Sequence, residues 1–313
     1  MAHAHDSIGS VSPGSSDLFG LTPLAGGFSG ETFVAEAAGE RTVVRVYGPH
    51  SEARRGAAAA EVDAAVLRLV RGLLPVPEVL EVRRPDPAAG TPGLLVTSLL
   101  PGVRLDLLLA QLDVEERHRL GRELGTVLAR LAMMPMPRAG LFVDGDLRVR
   151  PMPAGGLVDF VVAHRSGTAL EQWPSEVYDA LLRVASRAED LLAALDRTCL
   201  VHSDLNPKNL LVDPDTLTVT GLLDWEFAHA GWPVTDLGNL LRFEREPVFA
   251  DAVLNRYREH VVDAAANVLD LARAADLFAL VDLAARTSEN PVTERASRLL
   301  AAIARSGDLH AVP

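Results

Sequence analysis

The feature that most constrains this chain is a change of texture at Pro101-Gly102. Ahead of it, short β-branched and aromatic runs alternate with turn residues. Phe28 to Ala35 and Arg41 to Tyr47 flank the turn-prone Ala37-Ala38-Gly39-Glu40, the pattern of an antiparallel hairpin. An Ala-rich helix is expected over Ser51 to Arg71, with Val62, Val66, Leu69 and Val70 roughly on one face and Gly72 and Pro75 beyond its end. Two further strands are expected at Glu78 to Arg83 and Gly93 to Leu100. Behind the break, helical spacing dominates. Val114 to Met134 follows Asp113, which stands in capping-box spacing with Glu116. Helices are also expected over Leu157 to Arg165, Pro174 to Arg197, Val248 to Val268, Asp270 to Ser288 and Val292 to Ser306. The 313 residues suffice for two cores. The expected fold is therefore α+β and bilobal: a small antiparallel-sheet lobe with one helix over 18–102, a larger, mainly helical lobe over 103–313, and a loose tail over 1–17.

One segment interrupts the helical half. Cys199 to Phe227 reads as a strand, a polar loop, a second strand over Leu217 to Leu223 and an acidic turn. The loop is His202-Ser203-Asp204-Leu205-Asn206-Pro207-Lys208-Asn209, and the turn is Asp224-Trp225-Glu226. Five residues separate Asp204 from Asn209, and fifteen more, enough for a β-hairpin, lead to Asp224. A carboxylate that orients a hydroxyl, with an amide oxygen and a second carboxylate able to hold Mg2+ against phosphates, is the equipment of phosphoryl transfer. Singly, His202 reads as a core histidine, Asn209 as a turn former and Asp224 as a helix cap. Together, at this spacing, they read as a site.

Charge and composition narrow the partners. The chain carries 42 acidic and 30 basic residues, a net charge of −12, which disfavours a phosphate backbone or an anionic lipid surface as main partner. Residues 1–102 hold 11 acidic and 8 basic residues (−3), and residues 103–313 hold 31 and 22 (−9). The acidity thus concentrates in the helical half. No run of about 18 apolar residues occurs to cross a membrane. Cys199 is the sole cysteine, so neither an internal disulfide nor a cysteine zinc site is available, and a cytoplasmic location is expected. The only lysine is Lys208, inside the polar loop.

The string H-S-D-L-N-P-K-N followed by L-L-D-W-E resembles the catalytic-loop and metal-binding motifs of the protein-kinase-like fold, in the form used by the aminoglycoside phosphotransferase family. That family also includes macrolide, choline, homoserine and fructosamine kinases. The likeness runs from about Leu24 to Phe243, with the parts in the same order. It implies that Asp204 is the catalytic aspartate, that Asn209 and Asp224 are Mg2+ ligands, and that His202 braces the loop. In Pro233-Val234-Thr235-Asp236-Leu237-Gly238 it implies that Asp236 supports the loop by hydrogen bonding.

The same resemblance assigns the nucleotide side. Gly27, Phe28, Ser29 and Gly30 lie between the first two strands, where glycines let backbone N–H groups approach phosphates; the alternative is a plain turn. In Val44-Arg45-Val46, Arg45 stands where such kinases carry a lysine, and its guanidinium retains phosphate-binding ability. Its expected acidic partner on the next helix is Asp63, with Glu61 as the fallback. Backbone atoms near Ser98 and Leu100 would meet the adenine edge. Lys208 either faces the transferring phosphate or points to solvent.

The implied activity is Mg2+-dependent transfer of the γ-phosphate of ATP or GTP to a hydroxyl of a small molecule. No long activation segment follows Asp224, which argues against protein acceptors. The acidic lobe favours a cationic antibiotic, an aminoglycoside or basic peptide, over a macrolide. Glu226, Asp159, Glu171 and Glu289 are candidate contributors, while Trp225, Trp232, Trp173 and Phe227 line an apolar pocket or belong to the core. The alternatives are a metabolic kinase for choline, homoserine or a sugar, and a non-catalytic binding module of the same fold.

Overall fold

The computed structural model describes residues 20–24, 31–37, 39–48, 55–152, 155–261, 264–286 and 290–312. The expectations on Gly27, Phe28, Ser29, Gly30 and Glu289, and on the N-terminal tail, lie outside the described residues.

The first lobe is a twisted antiparallel sheet. Its strands are β1 (Gly20–Pro23), β2 (Glu31–Ala37), β3 (Glu40–Tyr47), β4 (Val79–Arg83) and β5 (Gly93–Ser98), in the spatial order β1-β2-β3-β5-β4. The hairpin read from sequence is present: β2 and β3 pair from Glu31↔Val46 to Ala37↔Glu40, and Arg45 sits between Thr32 and Leu95 of its two neighbours. Between β3 and β4 runs α1 (Ala59–Val70), preceded by a 3-10 turn at Gly56–Ala58. Val62, Ala64, Val66 and Val70 are fully buried, so the helix is anchored against β4 and β5 by its apolar face.

At Pro101-Gly102 the chain leaves the sheet. Gly102 has φ +120°, and a Cβ there would collide with Thr220 Oγ1 and lie 3.1 Å from the Val212 carbonyl, so only glycine fits this corner. Three short strands and two helices follow the crossing: β6 (Val103–Arg104), α2 (Leu105–Leu108), α3 (Val114–Ala132), β7 (Gly140–Phe142) and β8 (Val149–Arg150). The α3 cap is as expected, with Asp113 and Glu116 exchanging hydrogen bonds of 2.9 Å in both directions.

The remainder comprises α4 (Leu157–Ala163), α5 (Ser175–Leu192), β9 (Cys199–Val201), β10 (Leu210–Val212), β11 (Val219–Leu222), β12 (His229–Gly231), α6 (Thr235–Leu241), α7 (Pro247–His260), α8 (Val268–Ala285) and α9 (Pro291–Ser306). α3 and α7 cross closely because Gly121 presents no side chain; a Cβ there would lie 2.8 Å from both Ala252 Cβ and the Phe249 carbonyl. Among the described residues no helix is long and apolar enough to cross a membrane.

Several elements are absent from the sequence reading, α6, β12 and β6 among them. α6 is buried at every position from Asp236 to Leu241, so it lacks the amphipathic period that reveals a helix. β12 is His-Ala-Gly and becomes a strand only because it pairs with β9 and β7. β6 is two residues long and exists through its pairing with β10, which joins the crossing segment to the hairpin behind the polar loop.

Candidate active site

The polar loop leaves β9 at Val201 and re-enters the sheet at Leu210, after a 3-10 turn at Pro207–Asn209. Its backbone is held by α6. Asp236 accepts hydrogen bonds from the N–H groups of His202 (2.9 Å) and Ser203 (2.7 Å), and Ser203 has φ +66°. A non-glycine residue in that region persists only when its surroundings over-determine it, and the Asp236 carboxylate supplies that determination. His202 is wholly buried, and burial pushes its pKa below the ordinary histidine value, so the ring is neutral. With Nε2 assigned as the protonated nitrogen, it donates to the Leu223 carbonyl (2.8 Å), while Nδ1 accepts from the Asp204 N–H (3.3 Å). The Trp225 ring packs on it at 4.5 Å.

Asp204 is oriented by amides. Asn209 Nδ2 donates to its Oδ2 (2.8 Å) and Asn206 Nδ2 to its Oδ1 (2.9 Å). Burial pushes the Asp204 carboxyl above the ordinary carboxylate range, and the charge of Arg242 and the two amides oppose that shift. Asn206 also caps the 3-10 turn by accepting from Lys208 N–H at 3.0 Å. Its Asx-turn spacing is the signal that could have found it.

Asp224 is delivered beside this loop by β11. The Leu223 N–H donates to the Asn209 carbonyl at 2.8 Å, so the residue before Asp224 is bonded to both ends of the polar loop. Asp224 itself lies in the left-handed region, φ +63° and ψ +68°, at the start of a 3-10 turn over Trp225–Phe227. Asp204, Asn209 and Asp224 are thus brought together as expected.

The acidic partner of Arg45 differs from expectation. Arg45 reaches out of the sheet to the other lobe, with Nη1 2.7 Å from Asp224 Oδ1 and Nη2 2.7 Å from Glu226 Oε2. Burial alone pulls the guanidinium's pKa down, but Asp224, with Tyr47, Asp63 and Glu226, holds it above its ordinary value. Asp63 is 2% exposed and ion-pairs instead with Arg55, while accepting from the Tyr47 hydroxyl at 2.7 Å. Glu61 pairs with Arg84 at 2.7 Å. The physical reason is reach and charge: the turn offers Arg45 two carboxylates, and Arg55 already neutralises Asp63.

Other expectations are redirected. The Ser98 N–H and hydroxyl are both committed to Glu78, each at 2.9 Å, which leaves the segment after it for any edge recognition. Trp225 is in the core, its Nε1 donating to the Leu222 carbonyl at 3.1 Å, so it lines no acceptor pocket. Glu226 is occupied with Arg45. Asp159 is exposed on α4, and Trp232 is half-buried with its ring 6.1 Å from Phe278. Phe278 in turn meets Phe160, which stacks on His164 at 4.0 Å. Lys208 is exposed, and its charge lowers the pKa of Asp106, already held down by Arg104. Two residues had no signal in sequence: Arg55, one of a pair of arginines before a helix, and Arg242, buried in an ion pair with Asp276 at 2.6 Å.

Oxygen donors suited to Mg2+ are present. Asn209 turns its nitrogen to Asp204, and its Oδ1 accepts no hydrogen bond among the described residues. Asp224 and Glu226 already share one cation, the guanidinium of Arg45. No group of three His, Cys, Asp or Glu that could hold a metal occurs among the described residues. Two carboxylates and an amide nonetheless fit Mg2+, which usually takes its other ligands from water and substrate phosphates.

Comparison with known proteins follows the same lines. The family model described as the phosphotransferase enzyme family matches residues 20–303. The chain is 30% identical over 209 residues to an aminoglycoside 3'-phosphotransferase of Streptomyces fradiae, covering 61% of this chain and 69% of that one. Its fold is similar to that of aminoglycoside 2'-phosphotransferase-IIIa in a GDP complex, with TM-score 0.67, 16% identity and coverage of 94% and 95% of the two chains. It is also similar to aminoglycoside phosphotransferase APH(4)-Ia, with TM-score 0.66, 18% identity and coverage of 92% and 94%. A ternary complex of a thermostable mutant of the latter holds AMP-PNP and hygromycin B.

Proposed function

The chain belongs to the phosphotransferase enzyme family, and on that premise we propose that it transfers the γ-phosphate of ATP or GTP to a hydroxyl of a small cationic antibiotic, an aminoglycoside or a basic peptide. The observation that carries this reading is the carboxylate of Asp204, aimed by Asn206 and Asn209 on a loop fixed by Asp236. Such a group accepts a hydrogen bond from the acceptor hydroxyl and directs it in line with the phosphate. Its raised pKa suits a proton acceptor.

Asn209 and Asp224, with Glu226 beside them, are the residues that would hold Mg2+, which when bound neutralises charge on the phosphates. Arg45 binds phosphate from β3, and 27–30 is the segment that would cover the phosphates. The backbone at Leu100 meets the base. Lys208 stands at the mouth of the loop beside Asp106. The −9 charge of residues 103–313 supports a cationic acceptor, with Asp159 and Trp232 as contributors. The S. fradiae relative bears an aminoglycoside phosphotransferase name, which supports the same class. The reaction would take place in the cytoplasm, where nucleoside triphosphates are held.

The test is nucleotide consumption by the full chain with Mg2+ on two panels, aminoglycosides and basic peptide antibiotics on one, choline, homoserine and sugars on the other. Growth protection of a sensitive host is scored alongside. Turnover and protection on the antibiotic panel are expected. Turnover only on the second panel would move the acceptor to metabolism, and nucleotide binding without turnover on either would make the chain a binding module.

A further inference from the structure

Arg55 has no role in the chemistry described above, yet it occupies a junction. Its side chain is 7% exposed. One end of the guanidinium, Nη1, is held by Asp63 of α1, whose other oxygen takes the Tyr47 hydroxyl of β3 at 2.7 Å. The other end, Nη2, donates to the Ala228 carbonyl at 2.6 Å and reaches the Trp225 carbonyl at 3.3 Å. Those two carbonyls belong to the turn that starts at Asp224, in the left-handed region, and carries Glu226. A guanidinium with five donors in a rigid fork can hold a carboxylate and two carbonyls together, which an ammonium cannot do with the same geometry.

We propose that Arg55 is a positioning residue that suspends the Asp224–Ala228 turn from α1 and so sets Asp224 and Glu226 for the metal-bound nucleotide. The inference rests on the phosphotransferase reading of the site. In this arrangement the acid on α1 acts on the metal-binding turn through Arg55, and Arg45 is left to exchange between the two carboxylates and the phosphates. The link is one of position, since Arg55 touches backbone carbonyls and none of the metal-binding oxygens.

The test measures the affinity of the full chain for a fluorescent ATP or GTP analogue, with Mg2+ and with EDTA, alongside thermal melting. Arg55→Gln is expected to weaken Mg2+-dependent binding about tenfold or more, the worth of a lost charged hydrogen-bond set. Binding in EDTA should change less than about twofold, because the turn matters only when the metal engages it. Asp63→Asn should reproduce the loss in part, and Arg55→Lys should recover part of it, since an ammonium still donates to carbonyls. Equal weakening with and without Mg2+, or a lower melting temperature with unchanged binding, would overturn the proposal and leave Arg55 a purely structural residue. If Arg55→Gln is not folded by circular dichroism, the Arg55→Lys and Asp63→Asn variants are judged by the same criterion. A parent chain that binds the analogue no better with Mg2+ than without it defeats the phosphotransferase reading itself; a parent that responds to Mg2+ while the variants match it defeats only the role of Arg55.

Discussion

The two halves of the candidate site are braced in opposite ways. The loop carrying Asp204 is held from within its own lobe, by Asp236 on α6 and by the amides of Asn206 and Asn209. The turn carrying Asp224 and Glu226 is gripped from the other lobe, by Arg45 on β3 and by Arg55 ahead of α1. Both contain a non-glycine residue at positive φ, Ser203 and Asp224. The difference teaches where mobility can enter. The loop's bonds lie within its own lobe, whereas the turn is bonded to the sheet lobe through Arg45 and Arg55 as well as to the loop through Leu223. On the function proposed above, the acceptor-orienting Asp204 is fixed by bonds within one lobe, and the metal-holding turn takes its bonds from both.

The largest effect that bears on this contrast is expected at Asp204. Asp204→Ala should lower kcat by about 10³-fold, within the range for loss of a general base, while nucleotide binding stays nearly intact because the turn is untouched. Turnover close to that of the parent in a coupled nucleotide-release assay would remove Asp204 from its role. Next in size is Asp236→Ala, which leaves the N–H groups of His202 and Ser203 buried without their acceptor and should cost about 2–4 kcal/mol of stability. Its kcat should fall about 10–100-fold with KM for nucleotide little changed; a rise in that KM instead would show that the loop is not independent of the nucleotide side.

Arg45→Ala tests the other half. It removes one clamp on the turn and the proposed phosphate contact, so KM for nucleotide should rise about tenfold with a smaller change in kcat. A loss confined to kcat would break the division between the two regions.

The smallest effect concerns the foundation of the loop. Cys199 lies on β9, three residues before His202, and burial pushes its thiol from about 9 up to about 12. The folded pKa lies above the unfolded one, so the stabilising contribution is complete below about pH 9 and is lost as pH rises toward about 12. At pH 8 a thiol reagent should therefore label Cys199 only as fast as the chain unfolds. Rapid labelling of the folded chain would show that β9 opens locally and that the loop is less firmly based than its hydrogen bonds indicate.

How much of this was legible beforehand follows from distance along the chain. Asp204 and Asn209 lie within six residues and their hydrogen bond spans five positions, so residue types at fixed spacing sufficed; Asn206, whose bond to Asp204 spans only two, was not singled out. The α3 capping box was readable for the same reason, its two members being three apart. The partner of Arg45 was not readable. The Arg45–Asp224 and Arg45–Glu226 pairs join residues 179 and 181 positions apart, across the crossing at Pro101-Gly102. Asp63 was expected to pair with Arg45, but its actual neighbours, Arg55 and Tyr47, were decided by how the helix sits on the sheet and the turn.

The sequence by itself therefore determined the two-part architecture and the grouping of Asp204 with Asn209 in the polar loop, because apolar periodicity and short-range spacing act locally. Tertiary structure alone decided that Trp225 is core, that Glu226 answers to Arg45, and that the acid of α1 reaches the turn through Arg55. Which buried carboxylate pairs with which arginine depends on distances between lobes, and among arginines of equal charge nothing local in the chain distinguishes one partner from another.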